Sequence, residues 1–115
     1  MKQIFHDDFL GEDIPRILEE SGDSAFKEFS KCLDKTFVES ESNPPNGAPL
    51  ERSLALYRKK KFHSVLSPSR GMRADYRLVY RCDFEIDELV VLGVGRRNSG
   101  QLNDIYTILN TRSPI

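Results

Sequence analysis

Hydrophobic positions change their period once along this chain, near residue 50, and the change separates a helical part from a stranded part. Lys2 to Phe5 has the length of a short strand. Asp13, Ile14 and Pro15 read as a helix start, because Asp accepts from the orphan N–H groups of a first turn and Pro is tolerated there. Ile14, Ile17 and Leu18 supply the apolar stripe of that helix, and Gly22 its stop. A second helix is predicted from about Ser24 to Glu39. There Phe26, Phe29, Leu33 and Phe37 recur at spacings of three, four and four, with Ala25, Cys32 and Thr36 beside them. This aromatic stripe is read as core.

The stretch ESESNPPNGAP at 39–49 ends the helical pattern, since Pro44, Pro45 and Pro49 fit neither a helix interior nor a central strand. It is expected to be a loop within one domain. LERSLALY is ambiguous, and RKKK at 58–61 leads into FHSVL, which reads as a strand. ADYRLVYRC then alternates, with Tyr76, Leu78, Tyr80 and Cys82 on one face and Arg77, Val79 and Arg81 on the other. After the turn DFEIDE, the run LVVLGVG is apolar throughout and suits a strand covered on both faces. Leu102, Ile105 and Leu109 close the chain at helical spacing. The fold class predicted is α+β: two N-terminal helices packed on a small antiparallel meander sheet, with a short C-terminal helix.

Size and composition agree with a single domain spanning 1–115. A chain of 115 residues buries roughly 65% of its unfolded surface, enough for one modest core without a metal or disulfide scaffold. Low-complexity disorder, collagen and coiled coil fit poorly. The longest apolar run falls far short of the roughly 20 residues of a membrane helix, and the N-terminus lacks the apolar region of a signal peptide. A soluble, unexported, cytoplasmic protein with no membrane partner is therefore expected. Cys32 and Cys82 are too isolated for a disulfide framework or metal motif and are read as reduced, buried thiols. His6 beside Asp7 and Asp8 offers too few ligands for a metal. Neither a metal nor a cofactor is expected.

Charge changes the picture more than composition does. The formal net charge is −1, yet residues 1–51 carry 5 Lys/Arg against 12 Asp/Glu, a balance of −7, and residues 52–115 carry 12 against 6, a balance of +6. Such segregation lets the basic part meet phosphates while the acidic part stays solvated or faces a basic partner. The plainer alternative is that acidic helices sit on a basic sheet and neutralise it.

A hairpin centred on DFEIDE pairs residues whose numbers sum to about 172, which sets Arg77 opposite Gly95. Arg96 and Arg97 then end near Arg77, with Gly93 and Gly95 offering bare backbone beside them. Arg81 shares the face of Arg77 but lies about 13 Å along the strand. Converging guanidinium groups suit phosphate recognition, since the fork stays charged and donates bidentate hydrogen bonds. Asp75 and Asp104 are the candidate neutralisers.

The segment ADYRLVYRCDFEIDELVVLGVGRR, with an Ile-Tyr pair shortly after it, resembles the RelE/ParE superfamily of bacterial toxins. Members of that family typically show an Arg within a Tyr-Arg-Leu-Val/Ile-Tyr strand, then an apolar strand ending in Gly-His/Lys-Arg, then a closing Tyr. The match covers about residues 60–110, and the helical pair before it is compatible in order and length. The resemblance implies a toxin that cleaves messenger RNA on the ribosome, held in check by a cognate antitoxin protein. It also implies chemistry in which a ribose 2′-OH attacks the adjacent phosphate. Arg77 matches the strand arginine, assigned to transition-state charge, and Arg97 the arginine that closes the Gly-x-Arg motif. Tyr106 is the counterpart of the closing tyrosine, which stacks on a base or transfers a proton.

Two features depart from the family pattern. The spacing from Arg97 to Tyr106 is longer than usual, which leaves Tyr106 either in the site or in the core of the last helix. The lysines that precede the Tyr-Arg strand have several possible counterparts: Lys59, Lys60, Lys61 and Arg70, with His63 as a possible base. The RNA-binding candidates are therefore Lys59, Lys60, Lys61, Arg70, Arg81 and Arg96, beside the catalytic candidates Arg77, Arg97, Tyr106 and His63. Two other readings stay open, a gyrase-poisoning toxin of the ParE branch and a non-catalytic RelE-like binding module.

Overall fold

The computed structural model describes residues 1–42, 47–51 and 54–113. In chain order it forms β1 (Lys2–Phe5), a π-helical turn (Phe9–Asp13), α1 (Ile14–Ser21) and α2 (Asp23–Ser40). These are followed by β2 (Ala48–Pro49), β3 (Arg58–Phe62), β4 (Tyr76–Asp83), β5 (Glu88–Arg96) and α3 (Ile105–Leu109). The fold is α+β. One five-stranded sheet runs in the order β1-β5-β4-β3-β2. β2 to β5 make the antiparallel meander, and β1 adds a parallel edge beside β5, so the whole sheet is mixed.

The aromatic stripe of α2 forms the larger core. Phe29, Leu33 and Phe37 pack with Ile17 of α1 against Tyr76, Leu78, Tyr80, Leu89 and Val91 of the sheet. Phe29 lies 5.0 Å from the ring of Tyr76 and 5.9 Å from that of Phe62, while Phe5 stacks on Phe9 at 4.9 Å. Each such side chain, fully buried, contributes about 1.5–3 kcal/mol. Gly22 joins the two helices at φ 82°, a conformation that glycine reaches without a Cβ clash.

Several expectations are corrected by the packing. Asp13 does not cap α1, because the helical turn before it already continues through that position. Its buried carboxylate instead accepts from the Val94 N–H and from two arginines. The strand expected at FHSVL begins earlier and consists of RKKKF itself, since Lys60 and Phe62 reach the α2 face while the residues after Phe62 turn away. Ala48 and Pro49, within the expected loop, form a two-residue strand at the sheet edge, where proline's missing N–H costs no ladder bond. Most of LERSLALY stays irregular, although Leu54 and Tyr57 are buried; Arg52 and Ser53 lie outside the described residues.

α3 forms where Ile105 and Leu109 predict it, but it covers the opposite face of the sheet from α1 and α2. There it makes a second core with Leu54, Tyr57, Val79 and Leu92. Leu102 lies before the helix and is exposed. Arg77 pairs with Gly95, as the count from the turn requires, but the register shifts between Val79 and Tyr80: Val79 faces Gly93 whereas Tyr80 faces Val91. Leu92 is thus the extra residue of a bulge, and the facing of β5 inverts there. Leu89 and Val91 point to the helical pair before it, and Val94 does so after it. Gly93 and Gly95 are thereby turned toward α3.

Candidate functional site

The site is built on the α3 face, at the end of the sheet where β5 leaves it. Register sets Lys59 opposite Val79 and Lys61 opposite Arg77, so both lysines share the face of Arg77. Beyond the bulge, Arg97 falls on that face as well. Its Nη1 donates to Asp104 Oδ1 at 2.6 Å, and its guanidinium lies 4.9 Å from the centre of the Tyr106 ring. Lys59 Nζ lies 5.9 Å from the same ring centre. Arg77 is steadied by its own strand, donating from Nη1 to the carbonyls of Ala74 and Tyr76. Lys59 and Arg97 therefore flank one tyrosine, Arg77 acts on the same side chain, and Lys61 lies opposite Arg77 on the same face.

Asp104 holds the helix end of this arrangement. Its Oδ1 also accepts from the Asn98 N–H, and its Oδ2 from the Tyr106 N–H at the start of α3. Burial alone would raise its carboxyl, but the Asn98 N–H bond, the Arg97 bond and the Arg97 charge together hold it below the ordinary carboxylate range. Arg97 is thus neutralised. Lys59, Lys61 and Arg77 enter no ion pair among the described residues.

Tyr106 is half-buried against the second core, and its hydroxyl is buried with no hydrogen-bond partner among the described residues. Burial raises its pKa above the usual phenol value, and the charges of Arg77 and Arg97 pull it partly back. At neutral pH the hydroxyl keeps its proton. A protonated, unpartnered hydroxyl beside a guanidinium is a donor waiting for an acceptor.

The other sequence candidates lie elsewhere. Arg96, one residue from Arg97, falls on the helical face, 5.5 Å from the Tyr76 ring centre and 4.0 Å from Asp75. Lys60 points to the same side and pairs with Glu39 of α2 at 3.4 Å. Asp75 is engaged mainly by Ser64. His63 lines a cavity with Cys32, Lys35 and Thr36 of α2, and its Nε2 lies 2.8 Å from the Met72 carbonyl. A carbonyl only accepts, so that nitrogen donates. Arg70 stands exposed in the turn before β4. Arg81 lies opposite Val90, on the face of Arg77 but farther down the strand. The expected glycine floor is absent: a Cβ on Gly95 would meet Ile105 at 2.9 Å, and one on Gly93 would meet Leu109 at 2.7 Å and Arg112 at 2.8 Å. The glycines admit α3 to the sheet and do not line the site.

Sequence reasoning missed a second arginine cluster. Arg112, with its side chain 1% exposed, donates from Nη1 and Nη2 to the fully buried carboxylate of Asp13 at 2.8 and 3.0 Å, and from Nη1 to the Leu92 carbonyl. Asp8 and Glu12 stand at 3.8 and 3.6 Å from the same guanidinium, and Arg16 donates to Asp13 at 3.0 Å. Nothing in the local pattern around Arg112 announces burial, because its partners lie about a hundred residues away. Part of the acidic N-terminal excess is spent here.

No protein-family model matches this chain, and no curated protein matches it. Several solved structures are similar to it. The solution structure of the conserved hypothetical protein HP0892 from Helicobacter pylori is 18% identical, covers 84% of this chain and 93% of its own, and has a TM-score of 0.46. A chain of the toxin–antitoxin complex RelBE2 from Mycobacterium tuberculosis is 28% identical, over 84% of this chain and 96% of that one, with a TM-score of 0.44. A mutant of the E. coli toxin RelE in the free state is 24% identical, over 86% and 85%, with a TM-score of 0.49.

Proposed function

We propose that the chain is a RelE-type toxin of a toxin–antitoxin pair and an endoribonuclease that acts on messenger RNA at the ribosome. The observation that carries this reading is the placing of Lys59, Arg77 and Arg97 about Tyr106, with Lys61 opposite Arg77 on the same face and Asp104 the one carboxylate paired with them among the described residues. A cluster so short of negative charge suits an anion, and planar guanidinium and mobile ammonium groups suit a phosphate.

The cleavage it supports needs no metal. A ribose 2′-OH attacks the adjacent phosphorus, the new O–P bond forms as the bond to the 5′ oxygen breaks, and the products are a 2′,3′-cyclic phosphate and a 5′-hydroxyl end. Arg77 and Lys61 face the charge that grows on the phosphoryl oxygens. The 2′-OH proton passes to solvent. Tyr106, kept protonated by burial, gives one to the departing oxygen and is reprotonated from solvent, while Lys59 near its ring helps to hold the phosphate. Arg97, stacked on the ring and tied to Asp104, keeps Tyr106 in place. The partners are the transcript with its ribosome and an antitoxin whose acidic groups would occupy the same cations.

Induction of the protein in bacteria, with RNA 5′ ends mapped beside Arg77→Ala and Tyr106→Phe variants, tests the reading. New 5′-hydroxyl ends that vanish in the variants are expected. Growth arrest with intact transcripts and damaged DNA would point to gyrase instead, and unaffected growth would leave only a binding module.

A further inference from the structure

On the face of the sheet opposite Tyr106, where the end of α1 and the first turns of α2 meet the end of β5, lies a cavity of about 400 Å³. Its size is within the roughly 300–1,000 Å³ range of small-ligand sites. None of its lining residues takes part in the cleavage proposed above. Phe29 and Tyr76, both members of the larger core, and Val65 give it an apolar and aromatic wall. Three charged side chains reach it: Glu20 from α1, Glu28 from α2 and Arg96 from β5.

These charges face one cavity without neutralising one another. The Arg96 side chain is 52% exposed, and its guanidinium lies 5.5 Å from the centre of the Tyr76 ring. Asp75 stands 4.0 Å away, beyond hydrogen-bond distance, and is taken up by the N–H and hydroxyl of Ser64. Glu28 accepts from the Leu66 N–H through one oxygen, which leaves the other free for a ligand. Glu20 enters no ion pair among the described residues, although its charge is felt at Arg96. A phosphate placed here would meet two carboxylates, and a simple cation would meet Arg96. A molecule that carries both signs satisfies all three groups. The guanidinium fork matches a carboxylate, the three donors of an ammonium suit two carboxylates and the Ser21 hydroxyl beside them, and the apolar wall is left for a side chain. A free amino acid is the smallest molecule with that set of groups.

We propose that this cavity binds a free α-amino acid with an apolar side chain, Arg96 taking its carboxylate and Glu20 with Glu28 its ammonium. Arg96 and Asn98 flank Arg97 in the chain, and the Asn98 N–H donates to Asp104, so the site lies back to back with the cation cluster. Leucine, methionine and phenylalanine titrated into the purified full chain, followed by NMR at Val65 and Asn98, should give saturable shifts. N-acetyl-leucine, which lacks the ammonium, and leucinamide, which lacks the carboxylate, should each bind at least about tenfold more weakly than leucine. Glu20→Gln should weaken leucine and leave N-acetyl-leucine unchanged, whereas Arg96→Gln should weaken leucine and leave leucinamide unchanged. Both side chains are exposed, so neither change touches the core. No saturable shift with any of the three amino acids, a blocked derivative that binds as tightly as leucine, or leucine binding untouched in both variants overturns the site. The measurement involves no RNA, so its outcome is independent of the ribonuclease reading.

Discussion

Two arginine clusters bracket α3 in the sequence, and they behave oppositely. At the helix's end Arg112 and Arg16 meet Asp8, Glu12 and Asp13, and among the described residues the side-chain hydrogen bonds and ion pairs of Arg112 all go to carboxylates or a carbonyl. At its start Lys59, Lys61, Arg77 and Arg97 share one paired carboxylate, Asp104. The first cluster is closed round a buried Arg112–Asp13 pair, with Asp8 and Glu12 at its exposed rim, and it holds α3 and the π-helical turn to β5. The second is open, and its cations are held apart mainly by strand register and backbone carbonyls. Residue type does not separate the closed cluster from the open one; the local ratio of anions to cations does.

The largest effect that would break this contrast comes from the closed cluster. Arg112→Ala leaves Asp13 charged and buried, and it should destabilise the fold by about 3–5 kcal/mol in denaturant titration. A loss below about 1 kcal/mol would mean that the cluster is no clamp. Removing both partners, as in Asp13→Leu with Arg112→Met, should cost less than the sum of the single changes.

In the open cluster the effects should fall on activity. Arg77→Ala should lower cleavage by about 10²–10³-fold while stability stays within about 0.5 kcal/mol. Fewer mutually repelling cations lie behind the second part of that expectation. Should Arg77→Ala unfold the protein, the cluster would be structural and the contrast with Arg112 would disappear. Tyr106→Phe sharpens it further: removing an unpartnered buried hydroxyl should leave stability unchanged or raise it by up to about 1 kcal/mol, yet slow cleavage by about 10²-fold.

Lys61→Ala should weaken RNA binding and reduce the slope of log affinity against log salt by about 0.7, whereas Lys60→Ala, on the opposite face, should leave the slope alone. The smallest effect concerns acid. Because the folded Asp104 carboxyl is held below its unfolded value, its contribution is present above the ordinary carboxylate range and is lost as pH falls through the folded value. Asp104→Asn should therefore flatten the acid limb of the stability curve, and an unchanged limb would show that Arg97 is not its anchor.

The phenylalanine spacing in α2, the alternation of β4 and the unbroken apolar run of β5 were legible in the chain because each reports a local period imposed by burial. The pairing of Arg77 with Gly95 followed from a turn position and a count. The candidate site was legible only in part. Arg96 and Arg97 are neighbours with the same side chain, and a bulge at Leu92, hidden in a run that is apolar throughout, sends Arg97 to Tyr106 and Arg96 to Tyr76. The same parity separates Lys59 and Lys61 from Lys60, once β3 is seen to begin at Arg58.

By itself the sequence determined the main helices and the two central strands, the fold class, the basic and acidic halves and the pairing of Arg77 with Gly95, all of which depend on residues near one another in the chain. Tertiary structure alone decided the rest. Which face α3 covers, which of the adjacent cations share a surface, and which arginine is silenced by carboxylates a hundred residues away depend on one inserted residue in a ladder and on long-range burial. A one-residue shift exchanges the two faces of a strand, and local periodicity does not encode where that shift falls.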